Sequence, residues 1–260
     1  MASEFDQERE DPSTSDVSGD DAATKLFLTI KSMPLFAHAR DLRLRDEDLI
    51  VAVDGVLNDD DIISFNARFD QLLENQDKLL LTICRNEVIY DVLVEDKLGV
   101  ELGFADSEAS TIAKKLFALH HVGPKDHYHN YEALRDVHRH VVLYGTAYSA
   151  VATLAPPIWL LQHRAWEPLA AVIAAYATSA VVNWWAFTAT ALLLAIYFHR
   201  IQFRLIRSYS LFTEHFFWHV CAARTSAEAQ LVCRQLDPKC YFDFSHVGPP
   251  SVEATEQKRA

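Results

Sequence analysis

Twelve histidines are the residues of this 260-residue chain best suited to chemistry. The segment Glu214-His215-Phe216-Phe217-Trp218-His219 sets two imidazoles at i and i+4. On a helix that spacing puts both on one face, as a zinc ion requires. The carboxylate precedes both histidines instead of lying between them, so this is not the H-E-x-x-H of zinc proteases. His120, His121, His127, His129, His138 and His140 add ligands of the right type without a metal-binding spacing. Cys84, Cys221, Cys233 and Cys240 form neither a C-x-x-C pair nor a secretory framework, which fits reduced thiols on the cytoplasmic side. No G-x-S-x-G, P-loop or glycine-rich dinucleotide turn occurs, and seven glycines leave little room for one. The expectation is a non-enzymatic protein without a cofactor. The alternative is a metal-dependent membrane enzyme with His215 and His219 as its ligands.

The elements that must position these residues fall into distinct compositional zones. Net charge is −12, which argues against nucleic acid as a partner. The charge is uneven: residues 4–21 carry eight acids and one base, whereas 141–198 carry only Arg164 and Glu167. Residues 1–23 have almost no large apolar side chains and are expected to form a disordered acidic tail. Met1 to Asp21 is polar where a signal peptide would be apolar, so the N-terminus is expected to stay in the cytoplasm.

Residues 24–105 have the pattern of a small α+β domain. Leu26–Ile30 and Leu49–Val53 have strand character, the second ended by the turn pair Asp54-Gly55. Asp59-Asp60-Asp61 supplies carboxylates for the positive end of a helix. Ile62, Phe65, Phe69, Leu72 and Leu73 then mark one helical face. Two further strand-like runs, Leu79–Cys84 and Val88–Val94, flank the turn Arg85-Asn86-Glu87.

Within this region Ser32 to Gly55 resembles the signature of bacterial PDZ domains. The resemblance is carried by Ser32, Pro34, Ala37, Leu42, Asp48, Ile50, Val53, Asp54 and Gly55. Asp41 and Glu47 stand where that family usually has glycines. The resemblance implies capture of an extended peptide by strand addition. Leu98, Gly99, Val100, Gly103 and Phe104 are the expected peptide-binding residues if the segment borders a groove; otherwise it is an edge strand and linker.

Residues 106–140 are expected to be an amphipathic helical connector, with a second helix over Asn130–His140. Val141–Leu161 is 21 residues without Asp, Glu, Lys or Arg, long enough for a membrane span. After the polar turn 162–167, Pro168–Phe198 gives a second apolar run of 31 residues, expected as one long span. The fold class expected is therefore an α+β PDZ-like domain followed by an all-α transmembrane hairpin. Gly145, Ser149 and Asn183 are its expected helix-packing residues. Residues 199–240 are expected to lie on the membrane surface as a helical segment, and 241–260 to form a flexible tail. Arg135 and Arg139 before the first span and Arg200, Arg204 and Arg207 after the second place both termini in the cytoplasm. The expected role is an inner-membrane adaptor or accessory subunit, whose partners are the lipid bilayer, a membrane protein or complex, and an extended peptide.

Overall fold

The computed structural model of the chain describes residues 26–75, 78–146 and 148–251, so the acidic tail at 1–23 and the chain from 252 onward lie outside it. The molecule is mixed α+β, built on one antiparallel sheet. The strands are β1 (Leu28–Ser32), β2 (Leu49–Val53), β3 (Val56–Leu57), β4 (Leu79–Arg85), β5 (Val88–Val94), β6 (Glu101–Phe104), β7 (His129–Arg135), β8 (Val141–Gly145) and β9 (Phe216–Ala223). They run in the order β6-β1-β2-β4-β5-β9-β7-β8, with β3 paired to β2. The helices are α1 (His38–Asp41), α2 (Ile62–Asn75), α3 (Ser107–Leu119), α4 (Ala150–Leu154), α5 (Pro156–Gln162), α6 (Trp166–Val182), α7 (Trp184–Phe212) and α8 (Ser226–Leu236).

Local chemistry accounts for the first half. Asp54 and Gly55, at φ 49° and 76°, close the β2–β3 turn, and Asn86 and Glu87, at 48° and 62°, close β4–β5. Two successive left-handed residues give a turn whose twist matches the strands it joins. β4 is central and buried along its whole length. Leu79, Leu81 and Ile83 pack on one face of the sheet, while Leu80 and Cys84 belong to clusters apart from theirs. Covered on both faces, the strand reads as a continuous apolar run. Phe65 and Phe69 of α2, stacked 5.5 Å apart, cover the first face together with Ala229 of α8. Ala113, Leu116 and Phe117 of α3 pack with Val51 and Cys84.

The sheet continues past residue 105. β9 pairs with β5 at Asp91 and Ala222 and follows β7 from end to end. Cys221 and Ala223 share one core with Leu28, Ile50 and Phe69. Of the expected connector over 106–140, α3 is helical, but Asn130–His140 is β7 and the turn after it. Residues 199–240, expected as one helical segment, contain the end of α7, all of β9 and α8. Helical spacing is a local signal, whereas β9 takes its hydrogen bonds from β5 and β7, far back along the chain, and β7 pairs with β9 as well as with adjacent β8.

Residues 141–161, expected as one membrane helix, are not one helix. Val141–Gly145 is β8, hydrogen-bonded along β7, and two short helices follow it. Pro156 opens α5, where a missing N–H leaves no gap in the helix. The apolar side chains here build a core around Trp159 and Leu160. The second run is not one helix either: α6 and α7 are joined by the single residue Asn183 and pack together, with Tyr176 and Phe187 rings 5.6 Å apart. α7 is long and apolar enough to cross a membrane; α6 is apolar but shorter.

Candidate functional site

The helix pair α6–α7 carries apolar side chains that nothing covers among the described residues. Near its base Leu169 and Val172 pack with Phe198 and Ile206 and with Trp159 and Leu160 of α5. Tyr209 closes the base by donating its hydroxyl proton to Glu167 at 2.8 Å. Toward Asn183 this packing ends, and Val181, Trp184 and Trp185 are 88, 73 and 80 % exposed. Leu192, Leu193 and Ile196 continue the exposed apolar surface along α7. Pro168–Phe198 contains no Asp, Glu, Lys or Arg, and Arg164, Arg200, Arg204 and Arg207 stand just beyond its ends.

Asn183 does not join the helices across a mid-span amide contact. It is the N-cap of α7: its backbone is extended (φ −175°, ψ 167°) and Oδ1 accepts the Ala186 N–H at 2.7 Å. An asparagine ahead of an apolar run is a helix-start signal, which the charge-free context concealed. Gly145 lies in β8, where Tyr131 packs over it. Ser149 caps α4, and its N–H donates to Gln202 Oε1 of α7 at 3.2 Å. The three residues expected to pack one membrane interface therefore serve three separate local structures.

The expected peptide-binding residues divide along the chain. Leu98 is buried, and its carbonyl accepts the Ala39 N–H at 3.1 Å. Gly99 sits at φ 66° against Ala37. Gly103 and Phe104 belong to β6, which pairs with β1 and has no strand on its other side among the described residues. Phe104 is exposed, as are Leu35 and Phe36 in the loop that follows β1.

His215 and His219 are not on one helical face. His219 is in β9, buried, with its ring edge-on to Tyr90 at 4.5 Å. Arg85 Nη1 lies 3.3 Å from His219 Nδ1 and has only N–H groups to offer, so Nδ1 is the acceptor. Burial and the neighbouring guanidinium hold this imidazole well below its ordinary pKa of 6.5, so it is neutral and its lone pair is engaged. It cannot serve as a metal ligand alongside His215, which lies next to His140 instead, with His140 Nδ1 3.1 Å from His215 Nε2. His120 is tied to buried Asp91 at 2.9 Å, linking the end of α3 to β5. The four cysteines are free and buried. A thiol hydrogen bond with Cys221, together with burial, pushes Cys233 well above the usual thiol range.

The His219 arrangement sets a pH dependence. The unfolded chain takes up a proton at this site as pH falls below about 6.5, and the folded chain does not, so stability is full above that pH and declines below it. His163, lowered by burial, contributes with the same sign. Denaturant unfolding of the full chain in detergent between pH 7 and 5 is expected to show this decline. In His219→Gln, which keeps an acceptor for Arg85, the slope should be flatter; an unchanged slope would contradict a neutral buried His219.

A scan of protein-family models and searches of curated proteins and of solved structures return no match for this chain.

Proposed function

We propose that this protein is a non-enzymatic inner-membrane adaptor or accessory subunit in which α6 and α7 form a hairpin that enters the bilayer from the cytoplasmic side and returns to it. The observation that carries this reading is the uncovered apolar surface around Asn183, bordered by Val181, Trp184 and Trp185. Each apolar arm, Pro168–Val182 and Trp184–Phe198, holds 15 residues. At 1.5 Å per residue an arm reaches about 22 Å, past the middle of a hydrocarbon core about 30 Å thick. The arginines gathered where the arms end favour the anionic cytoplasmic headgroups. Both termini then face the cytoplasm, as does the α5–α6 corner at His163.

The sheet is the interaction module of this reading. Its PDZ-like character rests on the Ser32–Gly55 motif and on the order β1, β2, α2 and the β4–β5 hairpin. An extended peptide from a membrane protein or complex would add to the outer edge of β6, where backbone groups supply affinity. Leu35, Phe36 and Phe104 would supply apolar contacts beside it.

Reporter fusions test the insertion. A reporter active only outside the cytoplasm should be silent after both His163 and Ala260, in a protein that fractionates with membranes. Activity at His163 would mean that 141–161 crosses after all. Recovery of the full chain in the soluble fraction would equally overturn the proposal.

A further inference from the structure

Where α7 leaves the helix pair and the chain turns into β9, His215 meets the β7–β8 turn. Asp136 and His140 stand at the two ends of that turn, and one ligand atom each from Asp136, His140 and His215 lie within 4.8 Å of one another. The turn is held rigidly: Asp136 Oδ1 accepts the N–H groups of His138 and His140 at 2.9 and 2.7 Å. Arg135 and Arg139 both donate to Asp237, at 2.9 and 3.0 Å, and Arg139 takes φ 68°. On the other side, the His215 N–H donates to Ser210 O at 3.0 Å, with Glu214 at φ 61°. Non-glycine residues in this region persist where their surroundings over-determine them.

The second observation is the orientation of the rings. His215 Nδ1 lies 2.9 Å from the Thr213 carbonyl, an obligatory acceptor, so the proton is on Nδ1 and Nε2 presents its lone pair. His140 Nε2 lies 3.2 Å from Asp243 Oδ1 but is buried without a hydrogen-bond partner among the described residues. His140 Nδ1 and His215 Nε2 face each other at 3.1 Å, a separation that one shared proton or one cation can bridge. An outer nitrogen held by a backbone carbonyl, as at His215, is an orientation that metal-binding histidines adopt. With Zn–N distances of about 2.0–2.1 Å, tetrahedral donors stand roughly 3.3 Å apart, close to the 3.1 Å between the two imidazole nitrogens.

We propose that Asp136, His140 and His215 form a three-ligand site for a zinc-class divalent cation, with Thr213 orienting the His215 imidazole and with the Asp243 carboxylate beside that of His140. The fourth position opens on a cleft of about 380 Å³ that also includes His163, Arg164 and His246. Arg164 pairs with Asp243 at 2.8 Å, so the site joins the sheet, the start of α6 and the C-terminal segment. A bound ion would clamp the helix pair to the sheet while leaving a coordination position for a ligand. This inference does not depend on membrane insertion.

The test uses the full chain in detergent, stripped with a chelator and titrated with Zn²⁺ against a chromophoric competitor, and with Co²⁺ read by its visible d–d absorption. A single equivalent is expected. Asp243→Asn should weaken binding by roughly 10–100-fold, as loss of an outer-shell partner does. His140→Ala and His215→Ala should weaken it further and abolish the Co²⁺ band. His138→Ala, exposed in the same turn, should leave binding unchanged. Absence of stoichiometric uptake would mean that the imidazoles share a proton and would overturn the site. Uptake that survives both histidine substitutions would overturn it as well. The Asp243→Asn arm keeps all three ligands, so it reads the site even if a histidine variant misfolds.

Discussion

Replacing Trp184 and Trp185 together by aspartate is expected to release the full chain from lipid vesicles, turning a protein that floats with liposomes into one that stays in the aqueous fraction. Both indoles directly follow the Asn183 cap and are more than 70 % exposed, so neither contributes to the core. Trp184 stacks on Phe187 at 5.5 Å, within its own helix. Aspartate costs up to about 3 kcal/mol per residue at the centre of a membrane helix, and less toward an interface. Two of them should therefore lower partitioning by orders of magnitude while leaving the sheet folded. Ile63→Asp, a substitution of equal chemistry at an exposed position on α2, should leave flotation unchanged. Equal flotation of the tip variant and the native chain would mean that the tip does not enter lipid.

Removing Arg85 should cost about 3–5 kcal/mol, because it leaves a buried carboxylate without its cation. Arg85 is 7 % and Asp48 1 % exposed, in the middle of the sheet. The pair is bidentate: Nε donates to Oδ1 at 2.7 Å and Nη2 to Oδ2 at 2.5 Å. Nη2 also donates to Arg43 O at 2.9 Å, and Asp48 Oδ2 accepts the Arg45 N–H at 2.7 Å. The network therefore fixes the loop between α1 and β2 as well as β4. Arg85→Ala and Asp48→Ala should each lower the unfolding midpoint sharply in detergent. The double substitution Arg85→Met with Asp48→Leu should lower it less than either, since it strands no charge. Single substitutions within about 1 kcal/mol of the native stability would contradict the network's structural role.

How much of this was legible from residue order depends on the range over which each signal acts. The β4–β5 hairpin, the Asp54-Gly55 turn and the Phe65/Phe69 face are local patterns, and each appears as an element. The run Val141–Leu161 misled because freedom from charge reports solvent preference and not backbone partners. Tyr144, Gly145, Thr146 and Ser149 give it strand and cap chemistry that a charge count ignores. Pro156-Pro157 marked the start of α5 more faithfully than the kink of a span. His215 and His219 obey helical spacing, but only His219 lies in a strand, facing the core, while His215 just ahead of β9 meets the β7–β8 turn. His140 and His215 are 75 residues apart, and no spacing rule connects them. Their meeting depends on β9 returning beside β7, a pairing without local signature.

Whether the α6–α7 tip lies in hydrocarbon is measured most directly by depth-resolved spin labelling. Val182→Cys and Ile63→Cys, each in the full chain reconstituted into vesicles, carry a nitroxide on otherwise exposed positions; the four native cysteines are buried and free. The account predicts that the label at 182 relaxes preferentially with oxygen and is shielded from a water-soluble nickel chelate, while the label at 63 shows the reverse. Equal access of the nickel chelate to both labels would contradict it.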